Sequence, residues 1–409
     1  MVRLIGCHLR WVCALLATLA LSAQSVSAGG AAGSATPRVG HVFIVMLENE
    51  GYDVTFGPAS AAQYLNQLKR RGALVSNYYA ISHFSLGNYI ALISGQAPNP
   101  ATISDCEQFT EFVATGVTPD GQAIGSGCVY PANVATVASQ LEARGLSWKA
   151  YMEDMGNDPR RESASCGHPP IGAADNTQAA QIGDQYAARH DPFVYFHSII
   201  DTPSCAQHVR NLRALDADLD SIAATPNYVF ITPNLCHDGH DGGPAGHCVD
   251  GEPGGLASAD RFLHTVVPQI LASAAFRRDG LLIITFDEAD IEYDYNAATK
   301  AVSVSGGDAT ACCNEQPGPN IPPYQADAAS TRSAINGPGL NGAGGGRIGA
   351  VMLSPFIKPG TLSQLPYNHY SLLKSVEDMF GLDYLGYAGQ PGLKGFGPDI
   401  FTQPEGRSR

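Results

Sequence analysis

Basic residues are scarce in this chain, with 24 Lys+Arg against 38 Asp+Glu and a formal net charge of -14. Nucleic-acid binding needs a basic face that displaces counterions from phosphates, so that partner class is excluded. The same shortage excludes electrostatic docking on anionic membranes. The apolar run Trp11–Leu21 is too short to span a bilayer, so stable membrane insertion is not expected. No Cys-x-x-Cys pair occurs, which removes the usual zinc-knuckle spacing. Gly and Pro are frequent but not periodic, and hydrophobic residues reach 44%, so the chain is neither collagen-like nor wholly disordered. What remains is an acidic, loop-rich globular protein. Its 409 residues suffice for one large α/β domain or two ordinary ones.

Arg3 and Arg10 precede the run Trp11–Leu21, and Val26-Ser27-Ala28 fits a small-residue cleavage site before Gly29. This pattern predicts a secretory signal peptide over residues 1–28, followed by a flexible lead over 29–38. Two cysteines, Cys7 and Cys13, would leave with the signal. Eight remain, an even number that predicts disulfides in an exported chain. Cys106 with Cys128 and Cys236 with Cys248 are near enough to close local loops. Adjacent Cys312 and Cys313 are expected to reach two different partners.

Apolar runs alternate with helical patterns. Strands are expected at Val39–Leu47, Trp148–Met152, Asn227–Thr232, Leu281–Phe286 and Ile348–Leu353. Helices are expected at Ala61–Arg71, Leu86–Ile93, Val134–Arg144, Ala206–Ile222, Ala259–Leu271 and Tyr370–Phe380. Continuously apolar strands separated by helices predict an α/β fold, a three-layer sandwich around a mostly parallel sheet, as one catalytic domain over 39–409. Residues 289–346 break the pattern. They are rich in Gly, Pro, Asn and Ala and read as a surface excursion, either a lid or an inert stapled loop.

A parallel sheet binds ligands beyond the carboxyl ends of its strands. Glu48-Asn49, then Asn234, Asp238, His240 and Asp241, then Asp287-Glu288 stand at three such ends. Several acids on one rim repel each other unless a divalent cation joins them, and oxygen and imidazole donors suit Mg, Mn, Ca or Zn, as one or two ions. Ser85 precedes a helix, whose free N–H groups favour an anion. A hydroxyl there, beside a cation, can serve as a nucleophile, with Asn88 one turn on as an oxyanion donor. The combination fits phosphoryl transfer.

These segments resemble the bacterial phosphoesterase family, which contains secreted acid phosphatases and phospholipases C within the alkaline-phosphatase superfamily. The likeness rests on five stretches in family order. They are His41 to Asn49, His83-Phe84-Ser85-Leu86-Gly87-Asn88-Tyr89, Thr232 to Asp241, Thr285 to Glu288, and Tyr367 to Leu373. It is most pronounced with the short secreted acid phosphatases of actinobacteria, one of which acts on phosphatidylinositol 3-phosphate. The resemblance implies an alkaline-phosphatase-like fold, with Glu48, Asn49, Asp287, Glu288 and Ser85 at a metal. It implies Ser85 as the nucleophile of a phosphoseryl intermediate, with Asn88 and His240 on the phosphoryl group. Asp238 and His369 fall where a second metal or the phosphate would be held. His83 would orient the serine loop. Asp154, Tyr52 and Arg347 are outlying candidates. Family prolines are replaced by Phe84 and Gly87, which would loosen that loop. The expected activity is a secreted, metal-dependent phosphomonoesterase of the acid-phosphatase type, with phosphate monoesters and lipid headgroups such as phosphoinositides as substrates. The alternatives are a phosphodiesterase or phospholipase C with the same centre, and a non-catalytic exported cation-binding protein. The chain ends soon after Phe401, without the C-terminal extension of larger phospholipases, which favours the monoesterase.

Overall fold

Continuously apolar stretches become strands buried on both faces, and those strands decide where the site lies. The computed structural model describes residues 37–242, 246–296, 301–321 and 343–402. The expected signal peptide and most of the lead fall outside them. In chain order the main elements are β1 (His41–Leu47), α1 (Gln63–Arg71), β2 (Ala73–Val75), α2 (Ser85–Ser94), α3 (Val137–Ala143), β3 (Trp148–Met152), β4 (Val209–Asn211) and β5 (Tyr228–Thr232). Then come α4 (Gly255–Ala272), β6 (Gly280–Phe286), β7 (Ala350–Leu353), β8 (Thr361–Ser363) and α5 (His369–Phe380).

Eight strands form one sheet in the order β8-β2-β7-β6-β1-β5-β3-β4. Only β7 runs against the rest, antiparallel to both β6 and β2. The sheet is therefore mostly parallel, as expected. Helices α2, α3 and α5 pack on one another, and α1 packs on α4. Strands β1, β5 and β6 are buried throughout, as in a sheet covered on both faces. Among the described residues no helix is long and apolar enough to cross a membrane.

The five expected strands and five of the six expected helices are present, with ends shifted by a few residues. The expected helix Ala206–Ile222 is not. That stretch holds the end of a helix (Pro203–His208), edge strand β4, a 3-10 turn (Leu212–Ala214) and a short helix (Leu215–Asp218). Tertiary bonds override helical propensity here. Val209 pairs with Ala150 of β3, its carbonyl accepts from Cys166 N, and Cys166 is disulfide-bonded to Cys205. Asn211 Oδ1 then caps Arg213 N at 3.0 Å.

Cys106–Cys128 and Cys236–Cys248 close local loops as expected. Cys312 and Cys313 bond each other, contrary to expectation. Among the described residues the other six cysteines form three pairs of their own, which leaves these two together. The excursion begins with an antiparallel hairpin, Ile291–Asn296 with Ala301–Gly307. Its described ends pack on the loop before α2: Gly344 N and Gly345 N donate to Ile81 O and Ala80 O, and Ala80 N donates to Gly346 O. A Cβ on Gly345 would lie 2.4 Å from Ser82 O, so only glycine permits this approach.

Candidate active site

Sheet register assembles the acids. Leu47 of β1 pairs with Phe286 of β6, so Glu48 and Asp287 emerge side by side. Glu48 N donates to Asp238 O at 2.8 Å, which brings the loop after β5 to the same rim. Asn49 takes a left-handed φ of 53°, tolerable for asparagine, and its N–H turns onto Asp287 Oδ1 at 3.0 Å. Glu288 N donates to the same oxygen at 2.6 Å. Asp287 Oδ1 is thereby satisfied, while Oδ2 is buried without a partner.

Glu48 is fully buried. Its Oε2 accepts from Ser85 Oγ at 2.7 Å and from Asn49 Nδ2 at 3.0 Å, and its Oε1 accepts from Tyr89 OH at 2.5 Å. Tyr89 lies one turn beyond Ser85 on α2, so one helix contributes both hydroxyls. His190 stacks on the Tyr89 ring, 5.4 Å between centroids and 10° from parallel. Its Nε2 is 3.4 Å from Glu48 Oε1 and its Nδ1 is 3.8 Å from Asp238 Oδ2. Both ring nitrogens and Asp238 Oδ2 are buried without hydrogen-bond partners.

Burial, reinforced by the charges of Asp287 and Asp238, pushes the Glu48 carboxyl well above the usual range. Burial likewise raises Asp238, helped by Asp241, and lifts Asp287 to about 6. Three buried acids, with the charge of Asp287 adding to the burial that raises Glu48 and Asp238, and with orphaned oxygen and imidazole atoms beside them, offer donors of the kind a divalent cation takes. Glu48, Asp238, Asp287 and His190, with Ser85 and Asn49 adjacent, are the residues that could hold it.

The loop that carries Ser85 is held by side chains. Asn88 Oδ1 accepts from Ile81 N and Ser82 N at 3.0 and 3.2 Å, and Nδ2 donates to Ser82 O and Phe84 O at 2.8 and 3.4 Å. The Asn88 amide is thus occupied by loop backbone, and these bonds fix the loop rather than leave it loose as expected. Phe84 adopts φ 70°, a value closed to proline. The start of α2 is less open to an anion than expected, because Asp105 Oδ1 accepts from Leu86 N at 3.0 Å.

Two histidines brace the rim. His83 Nε2 donates to Asp308 O at 3.0 Å, and Nδ1 meets Glu288 Oε2. Burial lowers His83 to about 4 and raises Glu288 well above its usual range, so the shared proton resides on the Glu288 carboxyl. Glu288 therefore holds His83. His369 Nε2 donates to the Asp287 carbonyl at 2.6 Å and its Nδ1 accepts from Tyr78 OH at 3.1 Å, so both nitrogens anchor the backbone under Asp287.

Ser85, only 4% exposed, faces a cavity of about 350 Å³ together with Asn49, Arg189 and His240, with Phe84 and Ile291 as apolar walls. His240 is placed there by its N–H on Asp238 Oδ1 at 2.9 Å. Arg189 is fixed by Nη1 donating to Gln178 O at 2.8 Å. Its guanidinium is a ready partner for phosphate oxygens. Asp154 lies in a separate network, accepting from Asn234 Nδ2 and Gln185 N. Arg347 stacks over Tyr52 at 4.3 Å and pairs with Asp53, outside the cavity.

Sequence reasoning missed Arg189 and His190. They follow one another in a 3-10 turn, Ala188–His190, away from every predicted strand end. The available signal was two basic residues set within an apolar stretch, between Ala187-Ala188 and Pro192–Phe196.

A phosphate-repressible acid phosphatase of Penicillium chrysogenum is 29% identical over 253 residues, 61% of this chain and 48% of the relative. The chain thus spans about half the length of that curated relative. A phosphatidylinositol-3-phosphatase of Mycobacterium tuberculosis is 22% identical over 88% of this chain and 83% of its own. Among solved structures, a protein in the alkaline phosphatase superfamily from Vibrio parahaemolyticus aligns with a TM-score of 0.46 and 13% identity, over 91% of this chain and 72% of the other. The model of the Phosphoesterase family matches residues 58–383, most of the chain, and the chain belongs to that family.

Proposed function

We propose that the protein is an exported, metal-assisted phosphomonoesterase of the acid-phosphatase type. The carrying observation is Ser85 Oγ, hydrogen-bonded at 2.7 Å to buried Glu48 and facing the same cavity as Arg189. The names of the fungal and mycobacterial relatives support the substrate class, and phosphoinositides are the first lipid class to test. Four disulfides support an oxidising compartment.

A divalent cation at Glu48, Asn49, Asp238, Asp287, His190 and Ser85 would neutralise phosphate charge and lower the pKa of the serine hydroxyl. Arg189 and His240 hold non-bridging oxygens. Ser85 Oγ attacks phosphorus as its proton passes along the existing hydrogen bond to Glu48. The bond to the leaving alkoxide breaks, and the alkoxide takes a proton from solvent. Water then attacks the phosphoserine from the side the alcohol left, which releases phosphate and returns the proton to Ser85 Oγ. Asn88, His83 and His369 act on backbone and keep the serine loop and Asp287 in place.

The test is Ser85→Ala on p-nitrophenyl phosphate with a divalent-metal panel, beside intact-mass detection of a phosphorylated enzyme. A fall of kcat by about 10³-fold or more and loss of the adduct are expected. Full activity in the variant would overturn the nucleophile. Turnover of bis-p-nitrophenyl phosphate above the monoester would turn the reading to a diesterase.

A further inference from the structure

An arginine binds phosphate best when its guanidinium is already held in place, because a free side chain loses rotamer freedom with each bond it makes. Gln178, which lines the same cavity, supplies that hold. Its carbonyl accepts from Arg189 Nη1 at 2.8 Å, and its Oε1 lies 3.5 Å from the same nitrogen. Among the described residues nothing accepts from Arg189 Nε or Nη2, so one arm of the fork is anchored and the other donors remain open.

Gln178 lies outside any helix or strand, so no regular ladder sets the direction of that carbonyl. Its own side chain does. Nε2 donates to Asp105 O at 2.9 Å and to Asp175 Oδ2 at 2.8 Å. Both partners are themselves fixed. Asp105 and Cys106 are consecutive residues with left-handed φ, 49° and 51°, next to the Cys106–Cys128 disulfide. Asp175 is buried, and its Oδ1 accepts from Thr177 N at 2.8 Å and from Thr177 Oγ1 at 2.7 Å. The Thr177 hydroxyl oxygen in turn accepts from Ala188 N at 2.8 Å, one residue before Arg189. The Asp105 carboxylate adds an opposite charge, the largest that offsets the burial of the guanidinium. We infer that Gln178 is a positioning residue: through Arg189 it keeps the open N–H groups in place at the cavity that Ser85 faces, and so sets the affinity of the site for phosphoryl oxygens. This rests on the phosphomonoesterase reading of the same cavity.

The test is a double-mutant cycle read in the inhibition constant of inorganic phosphate, with KM and kcat for p-nitrophenyl phosphate beside it. Arg189→Ala should weaken phosphate binding about thirtyfold. Gln178→Met keeps the length of the side chain and the backbone carbonyl but removes both amide bonds, and should weaken binding about fivefold, with KM rising in step. In the Arg189→Ala background Gln178→Met should change nothing further, because its effect passes through the guanidinium. Gln178→Asn keeps the amide but shortens its reach, and serves in the same cycle where the methionine variant folds poorly. Equal weakening in both backgrounds would mark a merely structural Gln178 and overturn the inference, as would unchanged phosphate inhibition in the Gln178 variants themselves. Unchanged phosphate inhibition in an active Arg189→Ala enzyme would instead overturn Arg189 as a phosphate ligand. Absence of wild-type turnover would overturn the phosphomonoesterase reading, and this inference with it.

Discussion

The metal-stripped protein should lose stability as pH rises from 4 to 7, and Asp287→Asn should abolish part of that loss. Asp287 is fully buried, and burial lifts its carboxyl from the ordinary 3.8 to about 6 even though Oδ1 accepts two backbone N–H groups. The folded state thus holds this proton more tightly than the unfolded chain. Its contribution is fully present below the unfolded pKa near 4 and is lost as pH climbs through 6. The difference between the two pKa values corresponds to about 3 kcal/mol by pH 7. In a domain of this size that is about 4 °C in Tm. Glu48, Asp238 and Glu288 shift in the same direction, but the charge of Asp287 contributes to each of those shifts, so their effects do not add.

The variant isolates one carboxyl from the rest of acid titration. Asparagine at 287 still accepts from Asn49 N and Glu288 N. In chelator, Asp287→Asn should melt about 4 °C above wild type at pH 7, with the gap closing by pH 4. Added divalent metal should raise the wild type and leave the variant nearly unmoved, because the cation selects the ionised cluster. Scanning calorimetry at both pH values, with and without metal, reads all of this. A metal-stripped wild type that is as stable as the variant at pH 7 would refute the reasoning.

Two further outcomes follow from geometry beside the site. Burial alone would lower His237, but its hydrogen bond to Glu153 and the charges of Glu153 and Glu252 win and lift it to about 8. The pair should stabilise the fold fully below about pH 6.5 and lose that effect as pH rises through 8, so His237→Gln should cost about 1 kcal/mol in chemical denaturation at pH 6 and little at pH 9. Phe84 holds φ 70°, which proline cannot adopt, so Phe84→Pro should displace the loop and cut kcat by at least about tenfold rather than improve it. Wild-type rates in that variant would show that the loop is not held as described.

Much of the fold was legible because a strand buried on both faces has no polar side to confuse its reading. The runs at β1, β5 and β6 carried the sheet, and the rule that ligands lie beyond their carboxyl ends placed Glu48, Asp238 and Asp287 on one rim before any register was known. Strands β2, β4 and β8, three residues each, are too short for any period to announce them. The candidate site divides in the same way. Residues delivered by a strand end or a helix start were found from sequence, whereas Arg189, His190 and Asp105 were not. They arrive on a 3-10 turn and on a left-handed bend pinned by a disulfide, where side-chain direction depends on contacts distant in sequence. Asn88 and His369 were legible in place but not in use. A motif fixes which residue stands near the reaction, yet only the hydrogen-bond partners decide whether it faces the phosphate or the backbone. Here Ile81, Ser82 and Phe84 occupy the Asn88 amide, and Tyr78 with the Asp287 carbonyl occupies the His369 ring. In the proposed reaction, phosphate binding would therefore fall to other groups lining the cavity, Arg189 first among them.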